Sequence, residues 1–82
     1  MVKIFDFARL KKAYISAVQY GLRAGADYNF AKHGNNLLHK FCEKYIDNST
    51  CDAQSKERMK YELELTKELL AKEIDSFYSQ NR

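Results

Sequence analysis

The segment DAQSKERMKYELELTKELLAKEIDSFYS, residues 52–79, decides the fold of this 82-residue chain, and it contains neither glycine nor proline. Its apolar residues recur at spacings of three and four, which is the pattern of an amphipathic helix. The side chains that share one stripe, about 80° wide at 100° per residue, are Met59, Leu63, Thr66, Leu70, Ile74 and Phe77. The segment therefore predicts one long helix of roughly 40 Å at 1.5 Å per residue.

Two shorter amphipathic patterns precede this segment. Asp6 is suited to cap a first helix over residues 6–24, and Gly25 is suited to end it. Its expected core positions are Phe7, Leu10, Tyr14, Ala17, Val18 and Gly21. A second helix is expected to begin after a cap at Asp27 or Asn29. Its expected core face is Ala31, Gly34, Leu38, Phe41, Cys42 and Tyr45, flanked by Phe30, Leu37 and Ile46.

The number of helices depends on the run GNN at residues 34–36. These residues have low helix propensity, so the second helix is either continuous or split into a single turn near residue 30 and a main helix. A turn is expected over residues 47–50, and the cap of the last helix at Ser49, Thr50 or Asp52. We predict a single all-α domain over residues 1–82, a three- or four-helix bundle with a long C-terminal helix.

Residues suited to catalysis or metal binding are few and poorly spaced. The zinc-ligand candidates are His33, His39, Cys42 and Cys51, but they lack the paired short ligand loops of zinc motifs. The sequence also contains no glycine-rich phosphate loop and no nucleophile elbow. We expect no catalytic residue, no metal and no cofactor, with Cys42 buried beside a partly exposed His39. Without a long apolar segment, a cytoplasmic protein that does not contact membranes is expected.

The whole chain has a formal net charge of +3, and its basic residues are concentrated in the first part. Arg9, Lys12 and Arg23 share the polar face of the first predicted helix. A basic helix face favours contact with phosphate groups or with an acidic protein surface. A nucleic-acid-binding regulator that uses this basic face is therefore one hypothesis for the function.

A second apolar row on the last helix is the least expected feature of the sequence. Tyr61, Leu65 and Leu69 follow one another at intervals of four residues, outside the main stripe. Exposed apolar rows often mark partner surfaces, and tyrosine is enriched at binding hot spots. The far end of the same helix, from Ile74, is expected to extend beyond its neighbours and to remain in water. The candidate partner-binding residues are Tyr20, Tyr61, Leu65, Leu69, Phe77 and Tyr78.

These patterns favour a small non-catalytic module that binds a protein partner, or a second copy of itself, through exposed helix faces. Inhibitors, adaptors and assembly factors from phages and mobile elements often have this size and composition, an analogy that sets the working hypothesis. The first alternative is the nucleic-acid-binding regulator. The second is a redox- or metal-responsive protein built on His39, Cys42 and Cys51.

Overall fold

The computed structural model describes residues 5–80, which form three α-helices and no strand. α1 spans Phe7–Arg23, α2 spans Tyr28–Asp47 and α3 spans Ala53–Gln80. The all-α fold and the long C-terminal helix are confirmed, and three is the correct helix count. The predicted domain also includes residues 1–4 and 81–82, which lie outside the described residues.

Aspartate side chains cap the N-terminal ends of the helices. Asp6, Asp27 and Asp52 each accept a hydrogen bond from the backbone N–H three residues later, over 2.7 to 3.2 Å. These bonds satisfy amides that have no partner within the helix. At Asp52, hydrogen bonds from Ser55 also hold the pKa of the carboxyl below its usual value. The chain leaves α1 through Gly25, whose φ of 88° is a backbone conformation that glycine adopts at little cost.

α2 is continuous through residues 34–36, despite their low helix propensity. Asn35 is buried, and its Nδ2 donates a hydrogen bond to the backbone carbonyl of Lys67 in α3 at 3.2 Å. The Oδ1 of Asn35 accepts a hydrogen bond from the hydroxyl of Tyr14 in α1. Tertiary contacts of this kind stabilise a helix that its own sequence favours only weakly.

The three helices run up, down and up along a body of 48 × 24 × 16 Å. Tyr28, at the start of α2, donates a hydrogen bond to Asp75 near the end of α3 at 2.6 Å. The ring of Phe5, just before α1, packs on Tyr45 near the end of α2 with 5.7 Å between centroids. α2 is therefore antiparallel to both neighbours, and α1 and α3 are parallel to each other.

One apolar core joins the three helices. Its buried side chains are Tyr14, Val18, Leu22, Cys42, Ile46, Leu63, Leu70 and Ile74. The stripe predicted for α3 is confirmed, because its four central members are buried and Met59 and Phe77 pack against the core. The burial predicted for Cys42 is also confirmed.

The core face predicted for α2 is correct for Cys42, which is buried, and for Ala31 and Leu38, which pack against the core, but it is wrong for its two aromatic residues. Phe41 and Tyr45 were expected inside, yet they are 68% and 60% exposed. Asn35 and His39 are buried in their place, so the expectation of a partly exposed His39 is wrong as well. The helix turns its polar pair inward because both side chains find polar atoms on α1 and α3. In α1, Ala17 was also expected in the core and is exposed.

The expectation that the C-terminal end of α3 stays in water is also wrong. Ile74 is fully buried, and Phe77 and Tyr78 are half-buried against the core. The hydroxyl of Tyr78 donates a hydrogen bond to the carbonyl of Ala26, and its ring meets that of Tyr28 edge to face at 5.5 Å. The last turns of α3 therefore pack over the connection between α1 and α2 instead of projecting from the bundle.

Candidate partner interface

The row predicted on α3 lies on the surface of the bundle. Tyr61, Leu65 and Leu69 are all exposed, whereas Leu70, the next residue along, is buried. The structure thus provides the exposed apolar row that the spacing predicts, although its role in binding stays a prediction.

Tyr20 does not join this row. Its neighbour Gln19 faces α3, because its Nε2 donates a hydrogen bond to Glu73 at 3.4 Å. One residue further along a helix turns the side chain by about 100°, which places Tyr20 on another side of α1. Phe77 and Tyr78 are also separate from the row, since they pack against the core. The six candidate partner-binding residues therefore do not form one surface.

The three residues of the predicted basic face are all exposed on α1. Among the described residues, no ion pair includes Arg9, Lys12 or Arg23. α1 also contains no acidic residue. The exposed basic side chains of α1 therefore have no carboxylate partner within the helix itself.

A second apolar surface, which the sequence analysis missed, lies on the side of α2 that faces away from α3. Four of the large exposed side chains of this helix share this side: Phe30, Leu37, Phe41 and Tyr45. Together with Gly34 they fall within a strip about 80° wide at 100° per residue. This strip is distinct from the buried face, which carries Asn35, His39, Cys42 and Ile46.

α1 contributes the other side of the same surface. A cavity of about 760 Å³ is lined by Phe5, Arg9 and Ala13 from the α1 side and by Tyr45 from α2. Because the two helices are antiparallel, Ala17 and Tyr20 continue from this cavity alongside the earlier residues of α2. We call this surface the α1–α2 groove and define it by Arg9, Ala13, Ala17, Tyr20, Phe30, Gly34, Leu37, Phe41 and Tyr45.

The α1–α2 groove has small residues at its centre and aromatic residues toward its ends. Ala13 and Ala17 are exposed small residues on α1, and Gly34 is their counterpart on α2. A Cβ atom added to Gly34 would meet no neighbouring atom within 4 Å. The centre of the groove therefore has room for a side chain from another molecule.

One signal in the sequence could have located this groove. α2 carries two interleaved sets of apolar residues, and one helix can turn only one of them inward. Asn35 and His39 lie on the same side of α2 as Cys42 and Ile46, so burying these two apolar residues also buries the two polar ones. Tyr14, a phenol on the core face of α1, was the available partner for Asn35, but a single sequence does not show which contacts between helices form.

The buried polar side chains His39 and Tyr14 form contacts between the helices. The Nε2 of His39 lies 3.1 Å from a carboxylate oxygen of Glu64, and its Nδ1 lies 3.7 Å from Glu43. The Nε2 contact is short, but it lacks the alignment of a hydrogen bond. Burial raises the pKa of Tyr14, and Cys42 and Glu64 raise it further. The Tyr14 hydroxyl therefore stays protonated and serves as a hydrogen-bond donor.

The cysteines give no support to nucleophilic chemistry. Both Cys42 and Cys51 are free thiols, and Cys42 is buried beside apolar side chains. Burial raises the pKa of the Cys42 thiol, which disfavours the thiolate that a nucleophile or metal ligand needs. Within residues 5–80, His, Cys, Asp and Glu side chains form no group of three or more that could hold a metal ion.

Comparison with known proteins supplies no relative from which a function could be transferred. No protein-family model, no curated protein and no solved structure matches this chain. In the part of the chain that the structure describes, no helix is long and apolar enough to cross a membrane. The surfaces of the bundle are therefore the basis for assigning a function.

Proposed function

We propose that this chain is a small non-catalytic protein-interaction module that binds a protein partner through its exposed helix faces. One observation carries the proposal. Among the described residues, nine large hydrophobic side chains are exposed, and most belong to the α3 row or to the α1–α2 groove. Large exposed apolar patches are rare on monomeric proteins and often mark partner surfaces, so each of these two surfaces is a candidate interface.

The proposed module acts by occupying the surface of its partner. Inhibitors, adaptors and assembly factors work in this way, including those of phages and mobile elements, and small size is the argument for this class. The two free thiols fit a reducing compartment such as the cytoplasm. The proposal involves no cofactor and no metal.

A nucleic-acid-binding regulator is the second candidate, and the positive charge of α1 favours it. Arg9, Lys12 and Arg23 are exposed on a helix without a single carboxylate. Binding of this kind would weaken steeply between low and physiological salt, because counterions are released from phosphates. A gel-shift titration at two salt concentrations, with the charge-reversed triple variant as control, separates this candidate from the protein-binding module.

The experiment that tests the proposed function is affinity purification of the tagged chain from its source cells. We expect wild type to retain a specific protein, in a complex that survives physiological salt because its contacts are largely apolar. Leu65→Glu with Leu69→Glu tests the α3 row, and Gly34→Glu tests the α1–α2 groove. All three substitutions are at sites open to solvent, so both variants should keep the circular dichroism and melting temperature of wild type.

The matched control is Glu68→Gln, an exposed polar change on α3. We expect one of the two surface variants to lose the partner while Glu68→Gln retains it. If wild type retains no protein, or if both folded surface variants retain it, the proposed function is wrong.

A further inference from the structure

We infer that the α1–α2 groove binds an acidic amphipathic helix of a partner protein, seated as the fourth helix of the bundle. The inference rests on the proposed function and names the site and the chemistry of its partner. A helix in the groove would pack against α1 and α2 and bring the number of packed helices to four. α3 covers one side of the α1–α2 pair, and the groove leaves the other side open.

The exposed area of the groove is large enough to support such an interface. Tyr20, Phe30, Phe41 and Tyr45 are each between 60% and 74% exposed. At about 200 Å² for each aromatic side chain, they present roughly 500 Å² of surface to water. A standard interface buries about 800 Å² on each partner, so these four side chains supply more than half of one side.

The shape of the groove fits a helix. Phe30 and Tyr45 are separated by 15 residues of α2, which is about 22 Å at 1.5 Å per residue. Between these ends the groove residues Ala13, Ala17 and Gly34 are small, and a Cβ atom at Gly34 would meet no neighbouring atom within 4 Å, so these residues leave open space for an approaching helix. An amphipathic helix along the groove presents apolar side chains at intervals of three and four residues.

The charges around the groove select an acidic partner. α1 has no carboxylate, and the two carboxylates within α2 are directed toward α3. Asp47 lies 2.5 Å from the Nζ of Lys60, and Glu43 lies 3.7 Å from His39. Asp6 and Asp27, at the two ends of the groove, are engaged as the caps of α1 and α2. The exposed charged side chains of the two helices that remain on their outer sides are Arg9, Lys12, Arg23, Lys40 and Lys44.

Two other occupants fit less well. A second copy of the chain, docked through the same groove, would bring two basic surfaces together, which costs binding energy. A nucleic acid would meet a centre made of Ala13, Ala17, Gly34 and Leu37, which offers no side-chain donor to phosphates or base edges. Both remain outcomes of the test below.

The test uses Gly34, because a new side chain there enters the groove without disturbing the fold. Three variants place different charges at one open position: Gly34→Glu, Gly34→Gln and Gly34→Lys. Each replaces glycine in the middle of a helix with a better helix former, so each should melt at or above the temperature of wild type. A change in binding among them therefore reports on the groove.

The probe is a displayed library of 18-residue helical peptides, selected on wild-type protein and then measured by fluorescence polarisation. We expect the selected peptides to carry apolar residues at intervals of three and four, flanked by Glu and Asp. Gly34→Glu should raise their Kd tenfold or more relative to Gly34→Gln, because like charges repel. Gly34→Lys should bind at least as tightly as Gly34→Gln, and Leu65→Glu with Leu69→Glu should bind like wild type.

Several results would overturn the inference. Selected peptides without an acidic excess, equal Kd values for the three Gly34 variants, or no selected peptide would each contradict it. A dimer in sedimentation that Gly34→Glu abolishes would assign the groove to a second copy. Tight binding of a 12-nucleotide single strand that Gly34→Glu removes would assign it to nucleic acid. If only the Leu65 and Leu69 variant loses binding, the inference fails while the proposed function stands.

Discussion

Replacing Leu70 with alanine is expected to lower the free energy of unfolding by about 2–5 kcal/mol, the range for large-to-small changes in a packed core. Leu70 is 3% exposed and belongs to the buried cluster that joins the three helices. Leu69→Ala removes the same atoms one position earlier, where the side chain is 66% exposed. Its expected cost is below about 0.5 kcal/mol, as for most surface substitutions.

Urea denaturation of the two variants, with the slope m fitted for each, gives this comparison directly. Phe41→Ala belongs in the same series, because a large aromatic residue at 68% exposure should also cost little. Equal losses at Leu69 and Leu70 would show that α3 is rotated relative to the arrangement described above. If Phe41→Ala lowers the free energy of unfolding by several kcal/mol, Phe41 belongs to the core and the α1–α2 groove as defined here does not exist.

Removing the hydroxyl of Tyr14 is the second substitution with a large expected effect. Tyr14→Phe keeps the buried ring but leaves Oδ1 of Asn35 without its donor from α1. A buried polar atom that loses its partner costs about 1–3 kcal/mol. A double-mutant cycle with Asn35→Ala should give a coupling energy of about 0.5–3 kcal/mol, as for residues in one hydrogen-bond network. Coupling near zero would contradict the described contact.

The burial of the Tyr14 hydroxyl predicts a dependence on pH. Burial raises the pKa of Tyr14 above the ordinary value of 10.0. The folded state therefore keeps a proton that the unfolded state releases. The stability that Tyr14 contributes is complete below pH 10 and declines as the pH rises further. Wild type should lose stability above pH 10 more steeply than Tyr14→Phe, and equal slopes for the two proteins would contradict this account.

The sequence was sufficient to predict α3, because its stripe from Met59 to Phe77 is long and periodic. It was insufficient for the orientation of α2. There Phe41 and Tyr45 compete with Cys42 and Ile46 for the core, and hydrophobicity alone favours the larger residues. The outcome depends on two polar contacts with other helices, which periodicity within one helix does not encode.

Of the two candidate surfaces, the sequence predicted the α3 row but not the α1–α2 groove. The exposure of Tyr61, Leu65 and Leu69 followed from the spacing of a single helix, so the sequence located that row. The α1–α2 groove combines side chains from two helices whose relative rotation depends on Asn35 and His39. The open space at the centre of the groove is equally hard to predict from the sequence, since a glycine in a helix can indicate either close packing or open space. At Gly34 the space is open.

The central claim is that this chain binds a protein through an exposed apolar face, with the α1–α2 groove as the site. Photocrosslinking in the source cells tests it most directly, with p-benzoylphenylalanine in place of Phe41. The same photocrosslinker in place of Lys72, an exposed residue of α3 outside the groove, is the control. We predict a crosslink from position 41 to one protein, within an acidic helical segment, and none from position 72. Crosslinks from both positions alike, or no protein crosslinked at position 41, would contradict the account.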